Sequence, residues 1–323
     1  MNLKDYQNKR ILVLGGSGFI GTNLCLELNK LGAIVTSTYF TKPSASLPKE
    51  IHQKFCDLIN FDKIDQTIFD NIDIVFICSA VSSGAKIMQN TPLVHFNPNV
   101  LINLNAFEIS RIKNIKKIIF ISSNTVYPDV DYPVNEDHVN YKLFEKYFVV
   151  GWMKIFSEKI AEIYSTKINS EIQTIIIRPG NLFGEFDKFD WDKSKVIAAT
   201  IRKFAEKLDP IVVWGDGNDV KDFMYIKDFI EILLHVSLIE KKFDVINVAS
   251  GNSVTIKDII SSLKTISNYS PQIEFDLSKP TMIPKRLIDI SKLNKIIDVN
   301  FADIHKGLNN TYHWYLDNQN DYK

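Results

Sequence analysis

Cysteine is scarce in this chain of 323 residues. Cys25, Cys56 and Cys78 are scattered, odd in number and free of CxxC spacing, so they make neither a disulfide framework nor a zinc site. Charge of one sign is lacking too. Lys plus Arg total 38 and Asp plus Glu total 38, which excludes a general nucleic-acid coat, because that needs a basic excess. Long apolar runs are missing: Ile72–Ala80 is far short of a membrane span. The polar start, Met1 to Arg10, runs straight into apolar Ile11–Leu14 and has no signal-peptide character. His52, His95, His138, His235, His305 and His313 show no HExxH or other metal-ligand spacing, so no metal is predicted. A soluble, cytoplasmic chain without nucleic-acid or membrane partners is expected.

What is present is a large apolar fraction, 45% of residues against 24% charged, enough to bury a sizeable core. Short β-branched runs recur at 11–14, 34–38, 72–79, 117–122 and 173–178. Stretches of helical spacing lie between most of them, such as Leu24, Leu28 and Leu31, or Val100, Leu104 and Phe107. Apolar strands alternating with amphipathic helices predict an α/β fold, a Rossmann-type doubly wound parallel sheet covered on both faces. After Pro179 the rhythm loosens. Residues 181–191 read as a loop, 194–207, 226–238 and 256–266 as helices, and 211–214 as a strand. The expected division is a dinucleotide-binding domain over 1–182, with a return around 220–250. A smaller C-terminal substrate-binding domain takes 183–219 and 251–323.

The segment Gly15-Gly16-Ser17-Gly18-Phe19-Ile20-Gly21 follows a strand and opens a helix, and it reads as GxxGxxG or GxGxxG. Glycine lets the backbone turn tightly and approach a pyrophosphate, whose charge then meets free N–H groups at the helix N-terminus. The second strand of such a unit usually ends in an acid that grips the ribose of NAD. Here Thr36-Ser37-Thr38-Tyr39-Phe40 has no carboxylate, and Lys42 follows. NAD is favoured because no arginine follows the strand, and NADP stays open because Lys42 can meet a 2′-phosphate.

Five ordered segments carry a family resemblance: Gly15–Gly21; Cys56-Asp57-Leu58; Ile121-Ser122-Ser123-Asn124-Thr125-Val126-Tyr127; Arg178-Pro179-Gly180-Asn181-Leu182-Phe183-Gly184; and Gly215-Asp216-Gly217 with Asp222-Phe223 and Ile226-Lys227-Asp228. Together they resemble the extended short-chain dehydrogenase/reductases that act on nucleotide sugars (the NAD-dependent epimerase/dehydratase family). The resemblance implies that Asp57 and Leu58 lie against adenine, that Cys78, Ser79 and Ala80 line the cofactor, that Ser123 is the active-site hydroxyl, and that Pro179 flanks the nicotinamide. It also implies a YxxxK pair, in which tyrosine exchanges a proton with the sugar hydroxyl while lysine lowers its pKa and holds the nicotinamide ribose. The matching segment is Val150-Gly151-Trp152-Met153-Lys154. Lysine is in place, but Val150 stands where the tyrosine belongs, and valine carries no proton. Either the protein is a dinucleotide binder without catalysis, or another group or water takes the proton, with Tyr147 and Tyr141 the nearby phenols. Losing a positioned acid–base costs roughly 10²–10⁴ in rate, so a slower enzyme is expected, with Ser123, Thr125 and Lys154 catalytic.

Asn124 and Thr125 follow the active-site serine where the sugar dehydratases carry an acidic pair, which disfavours 4,6-dehydration. A nearer likeness, to the GDP-fucose synthase branch, runs through Asp187, Lys195–Phe204 and Val212–Phe223. That branch epimerises with a cysteine and a histidine; this chain has Thr125 and Lys195 at those places, which disfavours epimerisation at C3 and C5. What remains is hydride transfer at C4 of a GDP-linked sugar. The chain looks most like the capsular-type dehydrogenases of GDP-D-glycero-D-manno-heptose, and a 4-epimerase is the competing chemistry. Asn181, Lys195, Arg202, Trp214, Lys221 and Arg286 are the expected sugar-nucleotide residues, since a diphosphate needs cationic and amide donors and guanine a flat partner. The resemblance further implies a homodimer or homotetramer, with Phe144, Phe148, Trp152 and Phe156 at steps of four as a helix seam or as a face packed on the chain's own sheet.

Overall fold

Alternation of side chains along short apolar strands builds the main layer. The computed structural model describes residues 2–81, 91–168, 171–191, 193–279, 281–298 and 301–322. Strands β1 (Arg10–Leu14), β2 (Ile34–Tyr39), β3 (His52–Phe55), β4 (Ile74–Ile77), β5 (Lys117–Ile121) and β6 (Gln173–Pro179) come first, with helices α1 (Phe19–Lys30), α2 (Leu93–Ile112) and α3 (Phe148–Glu162) among them. Then follow β7 (Asn181–Phe183), α4 (Val196–Ala205), β8 (Ile211–Trp214), β9 (Val220–Tyr225), α5 (Ile226–Ser237) and β10 (Phe243–Val248). The strand order β10-β6-β5-β4-β1-β2-β3 makes a seven-stranded sheet, parallel at every pairing, with Ile11 opposite Val35 on one side and Ile74 on the other. Ile11 and Val13 of β1 face one layer, with Leu24 and Leu28 of α1 and Phe229 and Leu233 of α5. Leu12 and Leu14 face the opposite layer, with Ala106 and Phe107 of α2 and Ile160 of α3. Both faces are dry, which is why the strands read as continuous apolar runs. This is the expected α/β, Rossmann-like fold.

The remaining elements form a smaller layer beside the carboxyl ends of the strands. Strand β9 is its spine: β7 pairs it in parallel, β11 (Ser253–Thr255) antiparallel and β13 (Lys285–Arg286) in parallel, while β12 (Ile273–Asp276) pairs β8 separately. Helices α6 (Ile256–Ser267), α7 (Ser291–Asn294) and α8 (Ile304–Asn318) complete it. Thr255 starts α6 with a reciprocal capping box to Asp258, and Tyr312 and Tyr315 anchor α8 in the core. The loop expected over 181–191 therefore begins with a strand, and the edge strand β3 was not expected at all. Among the described residues, no helix is long and apolar enough to cross a membrane.

Beneath the carboxyl ends of β5 and β6 lies a buried ion pair. Arg178 of β6 donates from Nε to Glu158 Oε1 (3.0 Å) and from Nη2 to Oε2 (2.7 Å). Ser122 Oγ donates to the same carboxylate at 2.5 Å. The remaining guanidinium nitrogen, Nη1, reaches the Tyr127 hydroxyl (2.9 Å) and the Glu136 carbonyl (2.8 Å), and Tyr127 in turn donates to Asn247 Oδ1 (2.5 Å) on β10. Removing one partner of such a pair strands a charge in a dry interior. Glu158→Ala should cost about 3–5 kcal/mol, read as a fall in the urea midpoint, whereas Glu158→Leu combined with Arg178→Met should cost clearly less.

Candidate active site

The loop between β1 and α1 is shaped by contacts that only glycine permits. Gly15 has φ +78°, and a Cβ there would stand 2.7 Å from both N and Cα of Ser79, so this loop touches the chain leaving β4. Gly15 N–H donates to Thr38 Oγ1 (2.9 Å) and Gly18 N–H to the Gly15 carbonyl (3.0 Å). At Gly21 a Cβ would meet the Gly15 oxygen at 2.2 Å, so the first turn of α1 lies directly on the loop. Gly18 is exposed at the helix N-cap, which no side chain caps, and the first turn holds no acid. Ser17, Phe19 and Ile20 are half-buried around that opening. Free N–H groups, an unopposed helix dipole and no Cβ at the mouth fit a dinucleotide pyrophosphate. The turn after β3 brings Asp57, whose Oδ1 accepts from Ile59 N–H (3.0 Å), and Leu58, whose carbonyl accepts from Asn105 of α2 (2.8 Å). Past β4, Cys78 N–H bonds the Leu14 carbonyl (2.9 Å), burial pushes its thiol pKa up, and Ala80 is exposed. Next in the chain, Asn99 of α2 holds Val81 by both backbone groups.

At the end of β5, Ser123 is extended and opens a short 3₁₀ turn. Thr125 donates to Ser123 Oγ from its hydroxyl (3.0 Å) and its N–H (3.2 Å), and both side chains are half-buried. Asn124 Nδ2 donates to the Pro179 carbonyl (2.9 Å), clamping the ends of β5 and β6 together. Helix α3 sits on this turn through Gly151, where a Cβ would lie 2.6 Å from the Thr125 oxygen. One helical step on, Lys154 is buried. Its Nζ donates to the Ile121 carbonyl (2.9 Å) and lies 5.0 Å from the centre of the Phe120 ring. Burial pulls its pKa down to about 8, against the charge of Glu158, which favours the ammonium. Val150 is half-buried one turn earlier. Neither candidate phenol stands in for it. Tyr141 is exposed and stacked on Trp152 (5.5 Å, 11°). Tyr147 lies against Arg286 and the Ile283 backbone, with its hydroxyl pushed up to about 12 by burial.

The smaller layer gathers three of the six expected substrate residues on neighbouring strands. Asn181 (β7) donates to the Asp222 carbonyl (3.1 Å). Lys221 (β9) pairs with Asp219 (2.7 Å) and stands in register with Arg286 (β13). Arg286 is 1% exposed and donates to the carbonyls of Pro128 (2.8 Å) and Tyr127 (3.2 Å), while its Nε has no partner among the described residues. Asp222, which sequence reasoning passed over as a ligand of the fold, accepts from Ser250 and Gly251 and has its pKa raised to about 6 by burial. Trp214 is exposed at the end of β8, and Lys195 is exposed at the N-cap of α4, where its charge works on the buried Asp187. Arg202 departs from expectation. It is buried, bonded to Glu206 (2.7 Å) and the Phe189 carbonyl (2.8 Å) and packed 4.2 Å from the Trp191 ring, so it holds α4 in place. Glu158, Ser122 and Arg178 were missed as support for Lys154, although Glu158 stands four residues after it and therefore on the same helix face. Among the described residues, no group of three or more His, Cys, Asp or Glu side chains is placed to hold a metal ion.

Comparison with known proteins agrees with the fold. Over 334 residues the chain is 24% identical to GDP-L-fucose synthase of Escherichia coli (strain K12), covering 98% of this chain and 99% of that protein. Its fold superposes on UDP-glucose 4-epimerase of Thermotoga maritima, solved with UDP-glucose, with TM-score 0.86 at 20% identity, covering 96% of this chain and 99% of that one. UDP-glucose 4-epimerase of Thermus thermophilus, solved in complex with NAD, gives TM-score 0.81 at 20% identity over 95% and 98% of the two chains. Residues 11–249 match the NAD dependent epimerase/dehydratase family. With that match over most of its length, and with a glycine cradle suited to the dinucleotide, the chain belongs to the NAD-dependent epimerase/dehydratase family.

Proposed function

We propose that this protein is an NAD-dependent oxidoreductase that moves hydride between the cofactor and C4 of a GDP-linked sugar, a GDP-heptose being the favoured substrate. The observation that carries the substrate class is Arg286. A buried guanidinium that among the described residues bonds only carbonyls and leaves its Nε donor unfilled, with Lys221 beside it, favours an anion such as the diphosphate of a sugar nucleotide. Exposed Trp214 offers a flat surface for a purine. Bound NAD supplies a hydride acceptor. The chain's own groups bind and orient: the α1 N-terminus takes the pyrophosphate, Ser123 and Thr125 hydrogen-bond the sugar oxygen, and the Lys154 amine meets the nicotinamide ribose. Thr125 and Lys195, standing where the epimerising branch has cysteine and histidine, favour redox chemistry at C4 over carbon-acid chemistry at C3 and C5. Outward-facing Leu101 and Leu104 of α2, with Phe148 and Phe156 of α3, support self-association through these helices.

The test is a single-turnover assay at 340 nm with NAD and a panel of GDP-, UDP- and dTDP-linked sugars. Absorbance should rise with GDP-linked substrates, and product NMR should show a ketone at C4. No change with any sugar despite NAD binding would leave a dinucleotide-binding scaffold, and inversion at C4 without net oxidation a 4-epimerase. Arg286→Met should weaken GDP-sugar binding by about 1.5–3 kcal/mol, as expected for a charged hydrogen bond, with NAD affinity unchanged by calorimetry. Phe156→Glu should shift the sedimentation coefficient toward that of a monomer.

A further inference from the structure

We propose that Lys154 is itself the proton acceptor in the sugar oxidation, the role that a phenol at position 150 would otherwise take. This rests on the reading that the chain oxidises a nucleotide sugar with NAD. Four features support it. Nζ bonds a carbonyl, that of Ile121, and a carbonyl accepts N–H from a neutral amine as well as from an ammonium, so the contact survives deprotonation. The Glu158 carboxylate, one turn along α3, is engaged by two guanidinium nitrogens and the Ser122 hydroxyl, so its pull on the ammonium is partial. Gly151 locks α3 onto the Thr125 carbonyl, which fixes the amine relative to the turn carrying the Ser123 and Thr125 hydroxyls. The alternatives are unsuited: Tyr141 is stacked outward on Trp152, burial pushes the Tyr147 hydroxyl up to about 12, and the Ser123 and Thr125 hydroxyls are taken as the hydrogen-bonding groups for the sugar oxygen.

Among the described residues, the charged and titratable groups facing Lys154 are Glu158 on its own helix, with Arg178 of β6 behind it, and Cys78 after β4, whose thiol burial keeps neutral. Desolvation outweighs the Glu158 field and draws the amine down to about 8, so a usable fraction is neutral near pH 7. In the step, the sugar C4–H bond breaks with its electron pair passing to the cofactor ring. The hydroxyl O–H bond breaks with its proton passing to the Nζ lone pair, and the oxygen's electrons close the C4=O bond. NAD is the oxidant, and the proton leaves to solvent from the ammonium. Val150 leaves the sugar hydroxyl with no phenol to meet, and the base is Lys154.

The decisive variant is Lys154→Arg, which keeps the positive charge but not the titration. With the NAD-bound protein and whichever sugar the wild type oxidises, the single-turnover rate of wild type should climb about tenfold per pH unit below a midpoint near 8 and flatten above it. Lys154→Arg should lose about 10²–10⁴ in rate and lose that limb, with NAD affinity, read by fluorescence titration, changed only a few-fold. Glu158→Gln should move the midpoint toward acid by about one unit, since the carboxylate favours the ammonium. A lysine that only holds the ribose predicts the opposite: Lys154→Arg keeping the pH limb while NAD affinity falls. A flat wild-type profile, or an arginine variant as fast as wild type, overturns the proposal. If Lys154→Arg does not bind NAD, the direction of the Glu158→Gln shift decides. A substrate-independent readout of the amine's titration comes from ¹³Cε-lysine NMR, with the Lys154 signal assigned by its loss in Lys154→Met. Titration near pH 8 supports the base, and an amine still charged above about pH 10 overturns it. Failure of every sugar in the panel would instead refute the oxidoreductase reading and leave that NMR titration standing by itself.

Discussion

The pairing of Glu158 with Arg178 is the interaction on which the rest of the site depends. It ties α3 to β6, and through Ser122 to β5, so the helix bearing Lys154 is registered against the strand ends that bear Ser123 and Pro179. Two buried ions gain little net stability over well-packed apolar groups, because desolvation offsets most of their attraction. Their use here is positional. The carboxylate satisfies three donors from two neighbouring strands, and the guanidinium carries the connection on to Tyr127, and Tyr127 to Asn247 of the outermost strand. The same carboxylate favours the ammonium form of Lys154, against the burial that draws the amine down to about 8.

Much of the fold was legible because its signals are local. The parallel sheet announces itself in runs such as Ile74–Ile77, where both faces are buried and the sequence is apolar throughout. The β1–α1 loop is legible because its close contacts, Gly15 on Ser79 and Gly21 on Gly15, admit no side chain. Strand β3, His-Gln-Lys-Phe, was illegible since it is mostly exposed at the sheet edge and has no apolar pattern to show. The smaller sheet was illegible because it joins strands of two to six residues from distant parts of the chain, a partnership no window of sequence reveals. Arg202 shows the limit for charges. Its sequence neighbourhood fits a phosphate ligand, yet Glu206 one turn later and Trp191 before the helix take it up.

The site joins a familiar geometry to altered chemistry. The glycine loop follows β1, the serine turn follows β5, and the Lys154 amine bonds the last carbonyl of β5. At positions 125, 150 and 195 stand a threonine, a valine and a lysine, where the resemblance implies a cysteine, a tyrosine and a histidine. On the proposed function these replacements fall on the sugar side, while the glycine cradle for the dinucleotide is kept.

The strand order also leaves two open borders, and each is treated differently. At β3 the outward row is four residues long and carries His52, Gln53 and Lys54, too short and too polar to recruit another chain's backbone. At β10 the Lys292 ammonium donates to the Val245 carbonyl at 2.6 Å while also binding Asp244, so part of the main-chain row is already occupied. A broad parallel sheet thereby offers little free main chain at either border for a further strand to extend.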